Sequence, residues 1–254
     1  MILSDTEILR AIEAGAIVID PFDITQLGGN SYDVRLGPML MSPAVRELDA
    51  AQETAAWHTH QISALGFVLK PGTFYLASTV EYTESNVVAD HVGRGLPWGD
   101  WRLVPYLDGK SSVGRLGIQI HATAGRGDVG FRNHWTLEIS VSVPVRVYAG
   151  MPIGQLTWHR VAGNVKRVYG ERESSAYGAL PRDPNPQPSR MHLQPWALRA
   201  RELARIETER RRSCTCTIAW LAEQHVKLPE VGSDAHRHQA SCPLAQMSLL
   251  GSVP

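Results

Sequence analysis

The sequence predicts a mainly β protein, with a short helix at its start and helical material at its end. Three observations carry that prediction. Between about residues 16 and 160, short runs alternate apolar and polar residues, at 31–36, 73–83, 117–123, 134–143, 145–148 and 153–158. That period of two belongs to half-buried strands. Turn formers separate the runs: Gly28, Gly29 and Asn30, then Pro71 and Gly72, the glycines between Gly125 and Gly130, and Ala149 with Gly150. No long helical pattern alternates with the strands, which excludes a Rossmann-type fold. A sandwich, jelly roll or barrel remains.

The elements follow in order. Ser4 and Glu7 fit a capping box, in which each side chain bonds the other's backbone N–H. Ile8, Leu9 and Ile12 repeat at helical spacing, and Gly15 stands at the stop. Residues 91–106 hold Gly93, Gly95, Pro97, Gly99 and Pro105 with Trp98 and Trp101, and read as a long connection. The Ser-, Gly-, Pro- and Arg-rich stretch 170–190 reads as a mobile tail rather than a packed element. Residues 195–212 predict a helix with Leu198, Leu203 and Ile206 on one side and charges elsewhere. Residues 217–226 are a candidate third helix, and 228–254 read as loosely ordered. The expected division is a main domain over 1–190 and a helical extension over 191–254.

Composition narrows the function. Lys plus Arg number 25 and Asp plus Glu 25, so the formal charge is zero. That argues against a partner that is a nucleic-acid polymer, whose binding neutralises many phosphates, and leaves room for a local basic pocket. No apolar run approaches the ~18 residues of a membrane span, so no membrane partner is expected. The start lacks the basic and apolar segments of a signal peptide, so a cytoplasmic protein is expected. Cys214, Cys216 and Cys242 are odd in number and clustered near the end, a poor disulfide framework.

Chemistry concentrates between residues 107 and 138. The loop Gly109-Lys110-Ser111-Ser112-Val113-Gly114-Arg115 offers two hydroxyls, turn N–H groups and two cations. Those are donors for phosphate oxygens; a polar turn at a strand edge is the plainer reading, and the loop is not a Walker A sequence. Asp128, in a glycine-rich turn, either bonds its own backbone or accepts from a sugar hydroxyl. Glu138 alternates with Leu137 and Ile139. If Trp135, Leu137 and Ile139 face a core, Thr136, Glu138 and Ser140 line the other surface, which is either solvent or a pocket. A partly buried carboxylate is expected to have a raised pKa and to take and return a proton.

These segments, in this order, resemble the dCTP deaminases of the trimeric dUTPase-like superfamily. The resemblance rests on Asn30 through Gly37, Leu69 through Thr79, Gly109 through Gly117, His121 through Asp128, Thr136 through Glu138, and Gly150 through Leu156. It covers about residues 1–190. It implies a dUTPase-like distorted β-barrel or jelly roll and a hydrolase that turns dCTP into dUTP and ammonia, in the nucleotide metabolism that supplies dUMP. No catalytic zinc is implied, and the H-x-E…P-C-x-x-C signature of zinc deaminases is absent. By the same resemblance Glu138 is general base and acid. Ser111 and the Ala124 carbonyl place the water, and Arg115 holds substrate and catalytic groups. Lys110, Ser112 and the loop backbone at Val113 and Gly114 bind phosphates, with Mg2+ on the triphosphate. Asp128 binds the sugar, Trp135 and Thr136 border the base, and Gln155 and Tyr169 are later nucleotide contacts. A homotrimer with active sites between subunits is implied.

Thr123-Ala124-Gly125 is similar to the bifunctional members, which continue to dUMP and pyrophosphate; release of dUTP is the other outcome. The chain departs from the family where Ser175-Ala176-Tyr177 lacks a Lys and Leu180 stands near a Gln position, which leaves phosphate closure to Arg172 or Arg182. Ser142-Val143 replaces an Asn. Beyond the resemblance, Cys214, Cys216, His236, His238 and Cys242 are either zinc ligands at unusual spacing or incidental. The alternatives to a deaminase are a dUTP diphosphatase only, or a non-catalytic nucleotide-binding regulator.

Overall fold

A computed structural model describes residues 1–54, 56–87, 101–121, 124–171, 177 and 181–213. The chain divides into two compact units, residues 1–49 with 53–190 and residues 50–52 with 191–254.

The first unit is mainly β. Helix α1 (Asp5–Glu13) buries Ile8 and Ala11, while Leu9 stays exposed. Ser4 Oγ accepts from the Glu7 N–H at 3.4 Å. The expected return bond does not form, because the Glu7 carboxylate pairs with Arg10 at 2.6 Å. The helix ends in a Schellman pair, Gly15 N–H to Ile12 O and Ala16 N–H to Ala11 O.

Among the described residues, ten strands follow: β1 (Ile17–Asp20), β2 (Tyr32–Pro43), β3 (Trp57–Gln61), β4 (Phe67–Leu69), β5 (Tyr75–Ser85), β6 (Leu103–Gly109), β7 (Ile118–Gln119), β8 (Arg132–Val141), β9 (Val145–Val147) and β10 (Pro152–Arg160). Helix α2 (Ser111–Gly114) sits between β6 and β7. One sheet runs β6-β10-β2-β5-β8-β7, with β1 paired to β5 and β3 to β2; β4 and β9 form a separate pair. All pairings are antiparallel. The chain between β7 and β8 returns to β6, where Leu107 N–H donates to Gly125 O at 2.6 Å and Gly127 N–H to Pro105 O at 2.9 Å. That stretch links the two ends of the sheet and makes it a nearly closed barrel. Its inner positions, among them Tyr32, Leu36, Leu107, Leu137, Leu156 and Trp158, are fully or almost fully buried.

Several expectations are corrected. Residues 103–106, read as connection, belong to β6, which pairs with β10 from Leu103↔Arg160 to Gly109↔Gly154. Pro105 hid the strand, but its missing N–H is tolerated at a sheet edge. In the run at 117–123, the described residues 117–121 give only Ile118–Gln119 as strand. Part of the tail is packed: Ser78 Oγ donates to Pro184 O, and Gln187 N–H donates to Thr136 Oγ1 at 3.0 Å.

That anchoring depends on stacked irregularities. From Ser78↔Thr136 to Tyr82↔His134, β5 advances four residues while β8 advances two. Thr79 fills the bulge; its Oγ1 donates to Glu81 O and accepts from Trp135 N–H. Beside it, a Cβ on Gly37 would lie 2.8 Å from Ser78 O and 2.9 Å from Ser78 Oγ. Gly37→Ala therefore forces β2 from β5 and is expected to cost about 1–3 kcal/mol, read as a lower urea midpoint.

The second unit is described by helix α3 (Pro195–Ser213) and a one-turn helix at Met191–Leu193. Arg201 donates to the carbonyls of Ala51 and His192. Leu198 and Leu203 are exposed rather than covered. Among the described residues, no helix is long and apolar enough to cross a membrane. The expected helix at 217–226 and the five candidate zinc ligands lie outside the described residues.

Candidate active site

Strand β8 alternates as its sequence requires. Trp135, Leu137 and Ile139 are buried and Thr136, Glu138 and Ser140 are half-buried on the opposite face. The side chain of Trp135 therefore belongs to the core, with its Nε1–H donating to Thr83 Oγ1 at 2.9 Å. Only its main chain can reach the Glu138 face.

Glu138 is fixed by its backbone. Its N–H donates to Ile120 O at 2.8 Å. That bond brings the next residue, His121, alongside, with Nδ1 3.7 Å from Glu138 Oε2. That separation is too long for a hydrogen bond. His121 is nearly buried, and neither ring nitrogen has a hydrogen-bond partner among the described residues. The Glu138 side chain keeps more than a third of its surface exposed, at 39%. His121 holds its pKa below the ordinary 4.5, outweighing the desolvation that acts upward. This corrects the expected direction: burial is partial, and the neighbouring imidazole dominates. His121 stood inside a matched segment without a role, and its approach to Glu138 has no signature in sequence spacing.

The sign of the pH effect follows. A group with a depressed folded pKa stabilises the fold above its unfolded pKa, and that contribution is lost as pH falls through the folded value. Glu138 is accordingly a carboxylate at neutral pH. His121→Ala leaves desolvation unopposed, so the Glu138 titration is expected to move to higher pH, measurable by carbon-detected NMR.

A second cluster lies on β6, α2 and β10. The N–H groups of Val113 and Gly114 both donate to Lys110 O, and the Val113 side chain is buried beneath the turn. Ser111, Ser112, Gly114 and Arg115 are exposed. Among the described residues, the two hydroxyls and the Arg115 guanidinium make no hydrogen bond. Lys110 pairs with Asp33 of β2. Gln155, half-buried, stands between Asp33 and Asp108 in the sheet register.

Asp128 and Tyr169 are brought together by main chain. Tyr169 N–H donates to Val129 O at 2.7 Å, and the Tyr169 ring lies 6.1 Å from Phe131. Ala124 is exposed at the head of this turn. A Cβ on Gly125 would run into the Leu107 carbonyl, so the residue after Ala124 has room for hydrogen only. Arg182, a candidate for phosphate closure, has its guanidinium on Asp20 and Tyr82 instead. Arg172 lies outside the described residues. Among those residues, no three His, Cys, Asp or Glu side chains gather as a metal site.

Of the expected residues, Glu138 and Thr136 thus share the outward face of β8, with His121 alongside, and Lys110, Ser111, Ser112, Arg115 and Gln155 lie on or beside β6, α2 and β10.

Comparison with known proteins places the chain in a family. A protein of Leptospira biflexa named "dCTP deaminase, dUMP-forming" is 38% identical over 181 residues, covering 71% of this chain and 94% of its own. One of the same name from Cytophaga hutchinsonii is 41% identical over 181 residues, covering 71% and 95%. The crystal structure of 2'-deoxycytidine 5'-triphosphate deaminase from Agrobacterium tumefaciens superposes with a TM-score of 0.47 at 21% identity, over 63% of this chain and 48% of that one. The model of the dCTP deaminase-like family matches residues 2–97 and 99–161. Those residues include the Glu138 strand and the Lys110 loop, and on that match the chain belongs to the dCTP deaminase-like family.

Proposed function

We propose that this chain hydrolyses dCTP to dUMP, ammonia and pyrophosphate. The observation that carries the reading is Glu138: an ionised, half-buried carboxylate, fixed by its own backbone on the Thr136 face of β8. The names of the relatives support it.

In the proposed first stage, Glu138 takes a proton from a water held by Ser111 and the Ala124 carbonyl. The resulting hydroxide adds to C4 of cytosine while Glu138 passes that proton to the ring nitrogen N3. Glu138 then takes the proton of the new C4 hydroxyl and delivers it to the amino group. Ammonia leaves, the C4 carbonyl forms, and the N3 proton is retained in uracil. A carboxylate suits this cycle because it is the base at the start and the acid once protonated. In the second stage a water attacks the α-phosphorus in line with the pyrophosphate leaving group. Lys110, Ser111, Ser112 and Arg115 bind the phosphate oxygens. Asp128 takes the sugar, Gln155 and Tyr169 make further nucleotide contacts, and Val113 and Gly114 hold the turn. Mg2+ enters as part of the triphosphate substrate.

We further propose a homotrimer in which the Lys110 loop of one subunit faces Glu138 of another. The assay is direct: pure protein with dCTP and magnesium, with dCTP, dUTP, dUMP and pyrophosphate separated over time. Loss of dCTP with equal dUMP and pyrophosphate is expected. Consumption of dUTP but not dCTP would replace the reading with a dUTP diphosphatase, and binding without turnover with a regulator. Sedimentation mass tests the trimer.

A further inference from the structure

Residues 182–187 cross the face that carries Thr136, and the structure shows what holds them there. Arg182 NH1 lies 2.6 Å from Asp20 Oδ2, at the end of β1. The same guanidinium stacks over the Tyr82 ring of β5, 4.6 Å from its centroid. The ring itself is fixed. Its hydroxyl donates to Glu84 at 2.7 Å, and His134 of β8 packs against its edge at 5.7 Å. Burial, with the bond to Glu84, pushes the Tyr82 phenol up to about 12, so the platform is uncharged at working pH.

The chain beyond Arg182 then runs along β8. Asp183 N–H donates to Asn133 Oδ1 at 3.4 Å, Pro184 O accepts from Ser78, and Gln187 N–H donates to Thr136 Oγ1 at 3.0 Å. Thr136 is two residues from Glu138 on the same face. The three later bonds are single hydrogen bonds to backbone. Arg182 makes a charged contact, where the segment begins.

We propose that Arg182, clamped between Asp20 and Tyr82, is a positioning residue that seats 182–187 over the Thr136 side of the site and thereby sets nucleotide affinity. The inference rests on the function proposed above. An exposed ion pair and a cation–π contact together contribute enough to shift a docking equilibrium about tenfold. Because Arg182 grips strands rather than phosphate, its role is to hold the wall of the site before substrate arrives.

Two readouts separate the clamp from the activity. Amide exchange across 183–190, measured without nucleotide, is expected to quicken about tenfold in Arg182→Ala. The same variant is expected to raise KM for dCTP several-fold with kcat held within about twofold, since uniform binding is lost and the chemistry is not. The exchanged pair Asp20→Arg with Arg182→Asp should recover part of both, and added salt should weaken the unsubstituted clamp. Unchanged exchange in Arg182→Ala overturns the clamp. Faster exchange with an unchanged KM, or a loss confined to kcat, overturns its role in binding. An unsubstituted protein that leaves dCTP intact sinks the proposed function and the KM part together, while the exchange result still reports on the docking alone.

Discussion

Glu138→Gln is expected to slow dCTP consumption by about 10²–10⁴-fold while the protein stays folded. The substitution keeps the size and planarity of the side chain and removes its ability to take a proton. Its neighbour His121 is nearly buried, with Nδ1 3.7 Å from Glu138 Oε2. Folding should be little affected, because the bond that positions residue 138 runs from its backbone to Ile120 O. Single-turnover loss of dCTP, together with an unchanged circular-dichroism melt, checks both halves. A variant that keeps its rate would remove Glu138 from the chemistry.

Arg35→Met is expected to destabilise the protein by about 3–5 kcal/mol, toward the lower end. Glu81, on β5, is fully buried. Its Oε1 accepts from Arg35 Nε at 2.6 Å and from Gln26 at 3.4 Å, and its Oε2 accepts from the Arg35 N–H at 2.8 Å. Methionine keeps the stem and the backbone N–H but leaves a buried carboxylate without its cation. The bond to Glu81 also holds the Arg35 pKa above its ordinary value, so the guanidinium stays charged at any ordinary pH. A fall in Tm of roughly 6–12 °C is expected for a chain of this size. Removing both charges, as Arg35→Met with Glu81→Leu, should recover most of the loss. If the double variant is as unstable as the single one, the damage lies in packing and the buried charge is not its cause.

What the sequence disclosed depended on the range of each interaction. The outward face of β8 was legible because Trp135, Leu137 and Ile139 alternate with polar residues, and a two-residue period is local. The phosphate-type loop was legible because its donors are adjacent in sequence. Strand β6 was hidden, since Pro105 and the glycines before it read as connection; only pairing with β10 makes Leu103–Gly109 a strand. The tail was hidden for a similar reason. Its composition has no period, and what fastens it are Ser78, Asn133 and Thr136, all distant in the chain. The pKa of Glu138 fell in the wrong direction because its controlling neighbour arrives through a main-chain bond at Ile120, which no side-chain pattern encodes.

An open strand edge invites other chains to add themselves to it, the first step of aggregation. Here one terminal strand of the sheet, β7, is two residues long. The other, β6, has its outer side taken by Gly125 and Gly127, and Pro105 has no N–H to lend. The segment that carries Ala124 and Asp128 is thus also a guard strip. Enlarging Gly125 would lift that strip from β6, so a defect there would surface as insoluble protein as well as lost chemistry.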